Sequence, residues 1–230
     1  MAQQKTFFIT GTDTDVGKTI CAKALLQAAN KQKLSTMAYK PIAAGCQLTE
    51  SGLRNEDALI LQKNSTIELP YQAVNPIAFE LPIAPHIAAE LTNKPISLDL
   101  ITLGLQNLQQ KNSDLLIVEG AGGWRLPLNN DEMLSDWVVA QKLPVILVVG
   151  MKLGCLNHAV LTYETILNDG LNVVGWIGNQ LQADMPYYQE NLKLLTEKIA
   201  APMIAEIPYL STVNELDLGQ FVNCDLANLG

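Results

Sequence analysis

Gly11-Thr-Asp-Thr-Asp-Val-Gly-Lys-Thr19 stands directly after the apolar run Phe7-Phe8-Ile9 and directly before Ile20-Cys-Ala-Lys-Ala-Leu-Leu26. A strand, a glycine-bounded loop ending Gly-Lys-Thr and a helix together make a phosphate cradle. Backbone N–H groups of the loop and of the first helical turn (Asp15, Val16, Gly17, Lys18, Thr19, Ile20) converge on an anion. The helix dipole adds roughly half a positive charge at that point. Lys18 is placed to reach the outer phosphates, and the Thr19 hydroxyl to ligate Mg²⁺. The spacing departs from the usual G-x4-G-K-[ST], since five residues separate Gly11 from Gly17. The loop predicts a site for ATP or GTP.

Outward from the loop, apolar runs alternate with helical patterns. Strands are expected at Thr6–Thr10 and Thr36–Lys40, the second stopped by Pro41, with a helix from Lys18 to about Lys31 between them. Asn55–Lys63 reads as a helix burying Ala58, Leu59 and Leu61. Leu115–Val118 and Val145–Val149 are continuous apolar runs ending at glycine-bearing turns, which is how strands buried on both faces of a parallel sheet read. A helix over Cys155–Leu167, a strand over Val173–Gly178, a helix over Tyr188–Ile199 and a strand over Met203–Ile207 follow, and then a loose tail. The expected fold is α/β: one domain spanning residues 1–230, a doubly wound and mainly parallel sheet with helices on both faces, of the P-loop NTPase kind. Ligands then bind at the carboxyl ends of the strands.

Leu69–Pro95 breaks the rhythm, holding five of the chain's 11 prolines, so neither a long helix nor a central strand fits there. It is too apolar for a disordered linker. We read it as an ordered excursion over the sheet edge or a substrate pocket.

Composition narrows the setting. A net charge of −8 and a pI near 4.7 point away from nucleic acid and anionic membranes as partners. The four cysteines are scattered without a C-x-x-C pair, and two histidines make a zinc cluster an unsuitable reading. No apolar stretch approaches the ~18 residues of a membrane span. The polar start leads straight into the first strand, leaving no room for a signal peptide. A cytoplasmic enzyme with reduced thiols is the expectation. His86, after Pro85 at a helix start, reads as an ordinary hydrogen-bonding side chain, and Cys155 as a small buried one.

Three polar residues fall where strand ends would place them. Lys40 leaves the second strand on the rim that carries the phosphate loop. Asp57 lies in the first turn of its helix, where a carboxylate also complements the dipole. Glu119 follows four apolar residues and precedes Gly120-Ala-Gly-Gly123. A carboxylate there is costly unless it meets a cation, and in a phosphate-loop fold that place suits an acid that holds Mg²⁺.

With these residues in view the chain resembles the dethiobiotin synthetases. The resemblance is carried by Gly11–Thr19, Tyr39-Lys40-Pro41, Gly52-Leu-Arg-Asn55 with Asp57, and Val118-Glu-Gly-Ala-Gly-Gly-Trp124. It continues through Pro144-Val-Ile-Leu-Val-Val-Gly150, Lys152-Leu-Gly-Cys-Leu-Asn-His158 and Glu206-Ile-Pro208. The first motif suits other ATP-dependent synthetases as well; the lysine, glycine–tryptophan and Leu-Gly-Cys-Leu-Asn-His motifs are more specific. The resemblance implies closure of the dethiobiotin ureido ring from 7,8-diaminononanoate, CO2 and ATP, with Mg²⁺. One amine captures CO2 as a carbamate, whose oxygen attacks the γ-phosphate to give a carbamic–phosphoric anhydride. The second amine displaces phosphate and closes the ring.

The resemblance also implies roles. Lys40 is the catalytic lysine that neutralises carbamate and phosphoryl charge, assisted by Lys18, Thr14 and Asp15. Thr19, Asp57 and Glu119 position Mg²⁺. Glu119, Gly120, Ala121 and Gly122 line the place where nucleotide and substrate meet. Asn179 matches a base-reading residue beside Gln180, and Pro208, Tyr209, Leu210 and Glu215 complete the ATP pocket. Ala44 faces the substrate where a serine is expected. Gly154, Cys155, Leu156 and Asn157 open a helix that receives the substrate carboxylate across a homodimer whose active site is shared. Gln180 replaces an aspartate, Asn191 a tyrosine, and Arg125 an uncharged residue. The alternatives are a phosphate-loop switch ATPase and an amide-forming cobalamin-pathway synthetase. The first usually has a second loop lysine and a basic or amphipathic end segment, the second a glutamine-hydrolysing domain.

Overall fold

The computed structural model describes residues 4–211 and 217–230. The central sheet has six parallel strands in the order β10-β9-β8-β1-β7-β2: β1 (Lys5–Gly11), β2 (Thr36–Tyr39), β7 (Leu115–Gly123), β8 (Val145–Met151), β9 (Val173–Gln180) and β10 (Met203–Ile207). Two small two-stranded pairs lie outside it, β3 (Ile42–Ala43) with β6 (Ile77–Ala78) and β4 (Gln47–Thr49) with β5 (Gly52–Arg54). The helices are α1 (Lys18–Lys31), α2 (Glu56–Asn64), α3 (Tyr71–Val74), α4 (Pro85–Leu91), α5 (Leu98–Gln109), α6 (Leu134–Ala140), α7 (Cys155–Asn168) and α8 (Tyr188–Lys198). The doubly wound parallel sheet expected from the apolar runs is therefore present.

Alternating residues of each strand feed two cores, which is why the strands read as continuous apolar runs. Phe8, Val118, Leu147 and Trp176 face one side, with Leu105 of α5, Trp137 of α6 and Leu195 of α8. Phe7, Ile9, Ile117, Ile146 and Ile177 face the other, with Leu25 and Leu26 of α1.

That second core corrects two expectations. Residues 217–230 of the tail are not loose: they form a short 3-10 helix, Leu218–Phe221, and bury Leu218, Leu226 and Leu229 over α1. Gln27 of α1 and Gln32, which caps its C-terminal end, accept from the backbone N–H groups of Leu218 and Leu226. Apolar side chains spaced irregularly through a polar tail carry no periodicity, so only their docking reveals them. Leu59 is 43% exposed rather than buried, because α2 turns Ala58 and Leu61 inward and Leu59 lies off that face.

The proline-rich stretch is ordered, made of two short helices and the two residues of β6. Proline opens α4 at its first position, where a missing N–H costs nothing. The buried Nδ1 of His86 has no hydrogen-bond partner among the described residues. Strands β1 and β8 are neighbours, and the connection leaving β1 runs toward β2 on one side while that leaving β8 runs toward β9 on the other. That switch point places the site.

Candidate active site

The loop from Thr12 to Gly17 leaves β1 and enters α1 through Gly17, whose φ is +83°. A Cβ there would lie 2.2 Å from the Asn179 amide nitrogen, so both conformation and space demand glycine. The same amide donates to the Val16 carbonyl at 2.8 Å and anchors the loop to β9. Gly17→Ala is expected to destabilise the fold by about 1–3 kcal/mol. It should also raise the Kd for ATP at least tenfold, measured by calorimetry with thermal unfolding as the control.

Sheet register then assembles the charged centre. Tyr39 of β2 pairs with Val118 of β7, so the next residues, Lys40 just past the end of β2 and Glu119 within β7, lie side by side. The Lys40 Nζ lies 2.6 Å from Glu119 Oε1 and 3.2 Å from Asp57 Oδ2. The cation that a buried Glu119 demands is thus Lys40, and Thr19 Oγ1 donates to the same Glu119 oxygen at 2.8 Å. Asp57 arrives from the first turn of α2, which Asn55 caps by accepting the Ala58 N–H.

Two lysines share this centre and differ. Burial would lower the Lys40 pKa, but the Glu119 and Asp57 carboxylates outweigh it and hold the ammonium above its ordinary value. Burial also dominates at Lys18, where Glu119 opposes it and Lys40 adds repulsion; the net pKa is lowered. Lys18 Nζ donates to the Asp13 carbonyl, curling over the loop it belongs to. An incoming polyphosphate relieves the repulsion between the two.

These residues line a cavity of about 840 Å³. Thr14, Asp15, Gly17, Lys18, Thr19, Ile20, Lys40, Ala44, Asp57, Glu119, Ala121 and Gly122, all candidates from the sequence, line it together. Its apolar wall includes Pro82, Ile83, Ala84 and Pro85 of the proline-rich stretch, together with Leu126. These residues were not anticipated individually; the prolines marked the segment, but only folding shows that it covers the pocket.

Other expected residues lie elsewhere. The Val16 side chain is fully buried beneath the loop, and a Cβ on Gly120 would strike Phe8 at 2.7 Å. The backbone there is close-packed, so both are outside the cavity lining. Asn179, Gln180, Pro208, Tyr209 and Leu210 form a separate edge next to the loop, where the Tyr209 N–H donates to Gln180 Oε1 at 3.4 Å. Glu215 lies outside the described residues. Gly154, Cys155, Leu156 and Asn157 open α7 but do not line this chain's cavity.

Several side chains gain plain structural roles. Arg125 donates to Ser135 and Asp169, and Asp169 also accepts from Trp124, so Arg125 ties the turn after β7 to α6 and α7. Asn191 donates to the Tyr187 carbonyl at the start of α8. All four cysteines are free, and burial pushes each thiol above its ordinary pKa.

The donor set suits a hard divalent cation. Glu119 Oε2 is buried without a hydrogen-bond partner among the described residues. Among the described residues, no group of three or more His, Cys, Asp or Glu gathers as a metal site. Two carboxylates and a hydroxyl match a cation that completes its shell with phosphate oxygens and water. Among the described residues, no helix is long and apolar enough to cross a membrane.

Known proteins place this arrangement in a lineage. A family model described as an AAA domain matches residues 5–216. The chain is 52% identical over 214 residues to an ATP-dependent dethiobiotin synthetase BioD of Aeromonas salmonicida, covering 93% of this chain and 95% of the relative. It is 49% identical over 219 residues to the protein of that name from Vibrio parahaemolyticus, covering 95% and 96%. Among solved structures, MinC:MinD of Aquifex aeolicus aligns with a TM-score of 0.58 at 15% identity, covering 95% of this chain and 87% of that one. A ParA family ATPase from Chlorobium tepidum aligns with a TM-score of 0.56 at 13% identity, covering 95% of each. Similarity at that level speaks for the P-loop NTPase-like fold alone. With half its residues identical across nearly the whole length, the chain belongs to the ATP-dependent dethiobiotin synthetase family.

Proposed function

We propose that this enzyme carboxylates 7,8-diaminononanoate with CO2 and closes the ring to dethiobiotin, converting ATP to ADP and phosphate. The observation that carries the reading is the buried Lys40 ammonium set between Glu119 and Asp57 in the cavity that Lys18 and Thr19 also line. Two anions, a carbamate and a triphosphate, must meet there, and their repulsion is the barrier that the protein has to lower. One amine of the substrate attacks CO2 and loses a proton, giving the carbamate. A carbamate oxygen attacks the γ-phosphorus, and ADP leaves. The second amine then attacks the carbonyl carbon of the mixed anhydride and loses a proton, phosphate departs and the ring closes.

In this scheme Lys18 and the loop N–H groups hold the phosphates. Lys40 turns from its carboxylate partners toward the carbamate and the transferring phosphoryl group. Thr14 and Asp15 lie at the loop's mouth beside the reacting amines. Thr19, Asp57 and Glu119 hold Mg²⁺, which when bound neutralises phosphate charge. Asn179, Gln180 and the Pro208–Leu210 edge receive the adenine. Gly154–Asn157 of a second copy receive the substrate carboxylate at the start of α7. Two exposed leucines are in keeping with the homodimer: Leu153, just ahead of that helix, is 95% exposed and Leu161, on it, 55%.

The direct test is incubation with diaminononanoate, bicarbonate, ATP and Mg²⁺, with mass detection of dethiobiotin and phosphate release in equal amounts. ATP turnover without ring closure would overturn the proposal. Asp57→Asn and Glu119→Gln keep size and remove charge. Each should raise the half-saturating Mg²⁺ concentration, with Glu119→Gln the larger effect because its carboxylate is buried and Asp57 is 43% exposed. Titration of activity against Mg²⁺ checks this, and an unchanged requirement in both variants would remove them from the metal site.

A further inference from the structure

Lys40 stands where β2 has ended, ahead of Pro41, and so lacks sheet partners for its own peptide. The proline-rich stretch supplies them. The Lys40 N–H donates to the Val74 carbonyl at 2.8 Å. The Asn75 side-chain amide donates to the Lys40 carbonyl at 2.7 Å and to that of Ile77 at 3.2 Å. Asn75 is itself held, because the Tyr71 hydroxyl donates to its Oδ1 at 2.9 Å. That hydroxyl accepts the backbone N–H of Asn55 at 2.7 Å. Asn55 caps the helix whose first turn carries Asp57, and its amide donates to the Ala44 carbonyl at 3.2 Å.

One chain of hydrogen bonds therefore runs from the backbone of Lys40 to the helix start beneath Asp57 and on to Ala44. Its side chains, Asn55, Tyr71 and Asn75, are 7%, 7% and 3% exposed. The Arg54 guanidinium covers the Tyr71 ring at 4.2 Å from its centroid. Burial holds the phenol above its ordinary pKa, against the opposing Asn55 N–H, so the hydroxyl stays a neutral donor. Buried groups of this kind are costly when unpaired, which makes the chain rigid only as a complete set.

We infer that Tyr71 and Asn75 are positioning residues: by tying the Lys40 peptide to the N-cap of α2, they fix the separation between the Lys40 ammonium and the Asp57 carboxylate. Neither touches the reacting atoms. The inference rests on the functional reading above only in giving Lys40 and Asp57 their work. It also explains why a stretch so rich in proline is ordered here: rigid backbone on one side of the network keeps its three segments in place.

The variant to make is Tyr71→Phe, which removes one oxygen and leaves Asn55 N–H and Asn75 Oδ1 unpaired. It is expected to lower kcat about tenfold, as displacement of a reacting group does. The half-saturating Mg²⁺ concentration should rise severalfold while the KM for ATP stays unchanged. Tyr39→Phe is the matched control, because the buried Tyr39 hydroxyl donates to the Ile101 carbonyl at 2.9 Å, one residue from Lys40 but outside the network. It should cost similar thermal stability and leave kcat and the Mg²⁺ requirement as they are. In the Tyr71→Phe/Asp57→Asn double variant, the two effects on Mg²⁺ should sum to less than their separate values.

Tyr71→Phe with wild-type kcat and Mg²⁺ requirement would overturn the inference, as would equal losses in Tyr39→Phe. If Tyr71→Phe does not accumulate as folded protein, Asn75→Ser, which withdraws the amide from the Lys40 carbonyl, is read by the same criteria. Should the wild-type enzyme form no dethiobiotin, the functional reading fails and the inference is still decided. Calorimetric binding of a non-hydrolysable ATP analogue across Mg²⁺ concentrations must then differ between wild type and Tyr71→Phe, and coincidence of the two overturns it.

Discussion

Replacement of Lys40 by methionine is expected to lower turnover by about a hundredfold or more, the loss seen when a preorganised charge is removed from a transition state. Methionine keeps the length and the apolar stem, so packing around the stem should survive. What it leaves behind is Glu119, whose side chain is fully buried and then loses the cation it is paired with. Removing one partner of a buried pair typically costs about 3–5 kcal/mol. The ligand-free variant should therefore unfold at a lower temperature, and Mg²⁺ with ATP should narrow the deficit by restoring positive charge beside Glu119. Steady-state assays at saturating substrates and thermal unfolding with and without Mg²⁺-ATP measure both effects. Near-normal turnover would take Lys40 out of the chemistry. Lys18→Ala is the contrast, expected to weaken nucleotide binding as well as turnover, because Lys18 belongs to the phosphate loop itself.

Mixing two inactive variants is expected to restore roughly a quarter of wild-type activity, if each site takes Lys40 from one subunit and the start of α7 from the other. The partner of Lys40→Met is Asn157→Glu. Asn157 is exposed in the first helical turn, where a carboxylate is compatible with the dipole, and the added charge repels the substrate carboxylate. Leu156 is a poorer choice, since it packs partly against the core. Each homodimer should be nearly inactive. In a mixed dimer one site collects both lesions and the other none. Random re-association makes about half of the dimers mixed, each with one intact site of two, hence the quarter. Native mass spectrometry verifies the mixing, and dethiobiotin formation reads the recovery. Verified mixed dimers without recovered activity, or the absence of any dimer, would overturn the shared site.

Helices α5 and α6 were not legible in the sequence; the phosphate loop, the six strands of the main sheet, helices α1, α2, α7 and α8, and Lys40, Asp57 and Glu119 as candidate site residues were. Each rests on local physics: a run of apolar residues buried on both faces, a glycine bounding a loop, a carboxylate too costly to bury without a cation. The extent of β7 was not legible, because Glu119–Gly123 reads as a turn and becomes strand only through pairing, with Glu119 set against Ile9 and Gly123 against Gly11. The docked tail, the exposed Leu59 and the work of Arg125 likewise depend on what lies opposite each side chain. So does the network through Tyr71, Asn75 and Asn55, whose members are as much as 20 positions apart and whose spacing follows no period. Sequence alone determines which residues must find partners; which partners they find is settled when the parallel register sets Lys40 beside Glu119 and the proline-rich stretch closes over both.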